Sequence, residues 1–182
     1  MNPDGTQDAN AVSLYETSSG LKLVYEAIDG SAGTAGLKIT SRCANLSVLV
    51  GKITGGSENC VDLNNECGGI IVSCDRYEIR GKYGLSAKTC RNVTFRGHLT
   101  GTPSQWHVNL GSASDQSNAI QEGTQLELMA DAYPIVVWIG NATRPRLDDP
   151  KKYKLIGFGR YGSPARELVM LLWRIAKKLR LA

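Results

Sequence analysis

The sequence predicts an all-β fold: a single-stranded right-handed parallel β-helix of about five coils over residues 20–140, followed by a C-terminal amphipathic α-helix. Three observations predict it. A Cys-x-x-apolar-x-apolar hexad recurs at Cys43 (CANLSV), Cys67 (CGGIIV) and Cys90 (CRNVTF), so that the starts are almost evenly spaced. An independent apolar-x-apolar triplet, Val61-Asp62-Leu63, Leu85-Ser86-Ala87 and Val108-Asn109-Leu110, keeps the same two intervals. Glycines at 51, 55, 56, 81, 84, 97 and 101 fall between these landmarks, where tight corners need backbone angles that other residues resist.

Taken in chain order, residues 1–19 read as an N-terminal cap, because an open β-helix end exposes strand edges that invite pairing. Coiling then begins at Leu21 and Leu23 and continues through Leu37-Lys38-Ile39. Each triplet is too short to be stable alone, and alternation puts its two outer residues on one face. Coiling lets each strand pair with its equivalent one turn later, about 4.8 Å away, so that like residues stack. The expected interior rows are Leu46/Ile70/Val93, Val48/Val72/Phe95 and Val61/Leu85/Val108, with Cys43, Cys67 and Cys90 as a structural row at a corner. The middle residues Lys38, Asp62, Ser86, Asn109 and Trp138 are expected to point outward. An excursion through 111–123 precedes a last coil built from Leu126-Glu127-Leu128 and Val137-Trp138-Ile139. A leucine-rich horseshoe shares the period but needs leucine spacing and helical returns that are missing, and a β-sandwich would not hold a fixed ladder.

Residues 141–163, which include RPRLDDPKKYK at 144–154, read as a charged linker or arm. A helix start follows at Ser163-Pro164, with Ser as N-cap, Pro in the first helical position and Glu167 in the first turn. The helix, residues 164–182, carries Leu168, Leu172, Ile175 and Leu179 on one face, while LVMLLW at 168–173 is apolar all round. That surplus suits packing across the end of the β-helix, docking on another protein or lying on a membrane surface.

Charge is divided unevenly. Residues 1–143 hold 10 Lys and Arg against 14 Asp and Glu, whereas 144–182 hold 11 against 3. A basic tail of this kind suggests a segment that meets an acidic partner surface, a nucleic acid or a membrane, against the commoner case of a solvated basic face, and the residues expected to carry a partner contact are Arg144, Arg146, Arg166, Trp173, Arg174, Lys177, Lys178 and Arg180. Nucleic acid is not the expected partner, since no aromatic platforms interleave with the basic residues. No apolar run reaches the roughly 20 residues of a membrane span, and MNPDGTQDAN has no signal-peptide core. The odd count of five cysteines fits reduced thiols made in a cytoplasm.

Chemistry is harder to place. Parallel β-helices occur among polysaccharide enzymes, where two carboxylates from neighbouring coils flank the glycosidic bond. Here the outward line supplies only Asp62, His98 sits in Arg-Gly-His-Leu, and His107 follows Trp106. Asp75 and Glu78 lie among Arg76 and Arg80, which reads as a solvated charged face. The cysteines lack Cys-x-x-Cys pairs and nearby histidines. Neither a catalytic set, a metal site nor a cofactor site is expected.

The strands CANLSV and CRNVTF, the stretch VNLGSASDQS at 108–117 and the closing helix LVMLLWRIAKKLRLA together resemble small β-helix proteins of tailed bacteriophages, over about two thirds of the chain. The resemblance implies a virion component, assembled in the host cytoplasm, whose partners are other capsid or tail proteins or further copies of itself. On that basis the expected role is a non-catalytic structural protein, a capsid decoration or tail accessory, with the β-helix as rigid body and the basic arm and helix as anchor. Two other roles compete with it. One is a carbohydrate-binding or carbohydrate-cleaving β-helix using Asp62 or Asp115, and the other is a phage protein that works at a membrane surface.

Overall fold

The computed structural model describes residues 10–111, 122–140 and 142–157. The described chain is a parallel β-solenoid in which successive strands alternate between two sheets. Sheet A holds, in spatial order, β1 (Asn10–Leu14), β3 (Ala35–Ile39), β5 (Asn59–Leu63), β7 (Tyr83–Ala87), β9 (Trp106–Leu110), β11 (Ile135–Trp138) and β13 (Tyr153–Ile156). Sheet B runs from β2 (Lys22–Asp29) through β4 (Ser47–Thr54), β6 (Ile71–Glu78), β8 (Thr94–Thr100) and β10 (Gln125–Ala130) to β12 (Arg146–Leu147). Spatial order therefore follows sequence order within each sheet, as it must when every turn is laid on the one before.

Register realises the predicted rows. Leu37, Val61, Leu85, Val108 and Val137 are successive partners in sheet A. Leu23, Val48, Val72, Phe95 and Leu126 are successive partners in sheet B. From Val48 and Leu37 onward these side chains have no solvent exposure, and they form one core with Leu46, Ile70 and Val93. Isolated bridges Ala44–Gly68–Arg91–Glu122 add a third line of coil contact at one corner.

The third residue of each hexad turns this corner in the left-handed region: Asn45 (φ 54°), Gly69 (65°), Asn92 (52°) and, one coil further on, Gly123 (65°). Only glycine and, at small cost, asparagine take such angles readily. Their alternation has a packing cause as well, because the Asn45 side chain occupies the space a Cβ at Gly69 would need, and Asn92 does the same beneath Gly123. Each cysteine of the neighbouring row is fully buried and gives its thiol to a corner carbonyl: Cys43 to Thr40 at 3.1 Å, Cys67 to Asn64 at 3.0 Å and Cys90 to Lys88 at 3.1 Å. A small side chain with one weak donor thus fills the corner and satisfies its backbone.

Pairing runs beyond residues 20–140 at both ends. β1 lies within the segment read as a cap and pairs with β3, and the segment read as a charged linker supplies β12 and β13. Tyr153 in β13 closes that end: its hydroxyl accepts from the Leu128 amide at 2.9 Å and donates to Asp148 Oδ1 at 2.6 Å, tying sheet A to sheet B. The opposite end is more open, with Tyr15, Leu21 and Val24 exposed. Among the described residues the helical elements are 3-10 turns at Glu16–Ser18 and Pro150–Lys152. The helix expected over 164–182 lies outside the described residues, as does most of the 111–123 excursion.

Candidate functional site

The two outer walls of the solenoid are the surfaces on which function is sought. Ser13, Lys38, Asp62, Ser86, Asn109 and Trp138 are successive register partners on sheet A, one strand position away from core residues. Alternation points them away from the core. Unexpectedly for an outer wall, Ser86 is 0% exposed and Asn109 5%. Asn64 Oδ1 and Asn109 Oδ1 are buried without a hydrogen-bond partner, as is Asn59 Oδ1 nearby, while the Ser86 hydroxyl lies close enough to the Asp62 carboxylate to help hold its charge. Asn64 Nδ2 donates to Asp62 Oδ2 at 3.0 Å. Burial raises the Asp62 pKa above the usual carboxylate value, outweighing the pull of Lys88 and Lys38.

An aromatic row lies in the same sheet. Tyr83 and Trp106 are register partners with ring centroids 5.8 Å apart, and the Trp138 indole reaches back to stack on Trp106 at 4.9 Å with 15° between the planes. Both contacts are in the range of favourable offset stacking. All three rings are partly exposed. His107, next to Trp106, is half-buried, and its Nδ1 accepts the Val136 amide at 3.2 Å, so it serves as a rung between β9 and β11. Burial lowers its pKa, which keeps Nδ1 free to accept.

The outer wall of sheet B is different in kind. Lys52 and Arg80 both pair with Glu78, Arg96 pairs with Glu127, and at the corners Lys82 meets Glu58 and Arg42 meets Glu66. Most of these pairs join one coil to the next on a solvated surface, as the sequence reading of Asp75, Arg76, Glu78 and Arg80 anticipates. His98 Nε2 sits 2.9 Å from Asp131 Oδ1, close enough for an ion pair but poorly angled for a hydrogen bond.

Of the residues predicted to bind a partner, Arg144 and Arg146 are described and exposed near the closed end of the solenoid. Arg166, Trp173, Arg174, Lys177, Lys178 and Arg180 lie outside the described residues, as does Asp115. The cysteines are free thiols held buried; burial pushes Cys43 and Cys74 up to about 11 and Cys60 up to about 12, whereas a hydrogen bond with Cys90 holds the Cys67 thiol below its ordinary value. Sequence reasoning placed Trp138 but missed the row it belongs to. Tyr83 and Trp106 stand one coil period apart, the same interval that separates Cys67 from Cys90, and that spacing was the available signal. Comparison of the chain with family models, with curated proteins and with solved structures found no match in any of the three.

Proposed function

We propose that the chain is a non-catalytic structural protein of a bacteriophage particle, a capsid decoration or tail accessory whose solenoid is a rigid body and whose basic C-terminal stretch is the anchor. The observation that carries this reading is the coil-on-coil parallel pairing, among the described residues, of seven strands in sheet A and six in sheet B over one shared core. Such a stack keeps its length and its surface fixed, which suits a spacer or a clamp. The exposed Arg144 and Arg146 support an acidic partner surface at the closed end. The strong preference of parallel crossovers for one hand supports a right-handed coil. The phage assignment itself rests on the resemblance of the repeat strands and closing segment.

The test is incorporation into particles. A chain ending after Gly157 retains β13 and removes most of the basic stretch. Purified particles should carry the full chain and lose the shortened one; full occupancy by the shortened chain would refute the anchor.

A second reading, a carbohydrate-binding solenoid, is favoured by the Tyr83–Trp106–Trp138 row, since sugar rings stack on aromatic faces beside amide and carboxylate groups. It predicts binding on a glycan array that Trp106→Ala abolishes, and glycan cleavage would add a reducing-sugar signal dependent on Asp62.

A further inference from the structure

The outer wall of sheet A has a size, a chemistry and a point of chain entry that together identify its occupant. We infer that this wall is the docking surface for the chain's own C-terminal segment, residues 164–181, laid across the coils as an amphipathic helix. This goes beyond the proposed function and does not depend on it.

Four observations converge. First, the wall is drier than an outer wall should be: Ser86 and Asn109 lie one strand position from the core residues and are nonetheless covered, while Ser13, Lys38, Asp62 and Trp138 are half-buried. Second, the described chain leaves at this wall. Gly157 packs on the Trp138 indole so closely that a Cβ there would stand 2.9 Å from Cε3, and the sequence from Phe158 to Ala182 follows it. Third, the lengths agree. Seven strands span about 29 Å from β13 to β1 at the usual inter-strand spacing, and the stretch from Pro164 to Leu181 spans about 27 Å as a helix.

Fourth, the chemistry is complementary. The segment's apolar run meets a wall that carries the Tyr83–Trp106–Trp138 row. The same wall buries acceptors that lack donors, Asn64 Oδ1 and Asn109 Oδ1. A buried acceptor without a donor costs roughly 1–3 kcal/mol, and the segment brings five cations against one acid. A helix seated this way covers the wall with its apolar side, leaves part of its basic side outward for a partner and excludes a glycan from the aromatic row.

Limited trypsinolysis of the full chain under native conditions, followed by mass spectrometry, tests the assignment. Cleavage after Arg174, Lys177 and Lys178 should be at least about ten-fold slower than in a synthetic peptide of residues 158–182, at every protein concentration. Leu172→Glu in the segment and Asn109→Arg on the wall should each abolish that protection while far-UV circular dichroism keeps its β signature. Should Asn109→Arg fail to fold, Leu172→Glu decides alone. Cleavage as fast as in the free peptide overturns the inference. So does protection that rises with protein concentration, which would assign the wall to a second copy, or protection that needs anionic vesicles, which would assign the segment to a membrane.

Discussion

The two sheets share one core and differ on their outer walls, and the difference separates what the repeat dictates from what it leaves open. Inward columns are alike in both: Val61/Leu85/Val108 in sheet A and Val48/Val72/Phe95 in sheet B are fully buried and uniformly apolar. Outward columns are not. Sheet B presents Lys52, Glu78, Arg96 and Glu127, which pair across coils in solvent. Sheet A presents half-buried Asp62 and fully covered Ser86 and Asn109, which in part lack partners. Stacking like side chains requires only that the inward column be apolar, so the outward column records what the wall faces.

The largest expected effect tests the stack beneath both walls. Gly97, at φ 134° in β8, lies against the Cys74 carbonyl where β6 carries a bulge, and a Cβ there would collide with that oxygen. Gly97→Ala should cost about 4 kcal/mol or more and leave little folded protein, as read by denaturant unfolding or by soluble yield. Next, Leu85→Ala removes a fully buried side chain from the middle row and should cost about 2–4 kcal/mol in the same unfolding experiment. A cost below about 1 kcal/mol would mean that the row does not pack as described.

Tyr153→Phe sharpens the account of the closed end. It removes a hydroxyl that joins β13 to β10, leaving the Leu128 amide without that acceptor, and should cost about 1–2 kcal/mol.

The smallest effects compare the walls directly. Asp62 has a folded pKa above its unfolded value of 3.8, so its ionised form is disfavoured in the folded chain. Stability tied to this group is therefore lost as pH rises through the folded pKa. Asp62→Asn should raise Tm at pH 7, and the gain should vanish below about pH 4. Glu127→Gln, on the solvated wall, breaks an exposed pair with Arg96 and should change stability by less than about 1 kcal/mol, with the difference shrinking in high salt.

Much of the fold was legible because its cause is periodic. A nearly constant interval between Cys43, Cys67 and Cys90 is the direct imprint of one coil lying on another, and so the rows could be read before any coordinates. The strands beyond 20–140 were harder: β1 and β13 belong to coils without a Cys hexad to mark the period, and β12 is only two residues long. The closure by Tyr153 was illegible, because it depends on a hydroxyl reaching a backbone amide 25 residues away. The outer wall of sheet A was half legible. Its polar column was read as outward, yet Ser86 and Asn109 are covered, and alternation says nothing about what covers an outward face. The aromatic row was hidden because the interval from Trp106 to Trp138 is longer than one coil period, and the two rings meet only through the reach of the indole.

Carboxyl footprinting tests the central contrast most directly. The native chain is treated with a carbodiimide and an amine, and labelling is located by peptide mass spectrometry at Asp62 in sheet A and at exposed Asp75 in sheet B. The covered-wall account predicts rapid labelling of Asp75 and at least ten-fold slower labelling of Asp62, with the two rates converging in denaturant. Equal rates in the native protein would contradict it, since a carboxylate beneath a docked segment cannot react as freely as one in water.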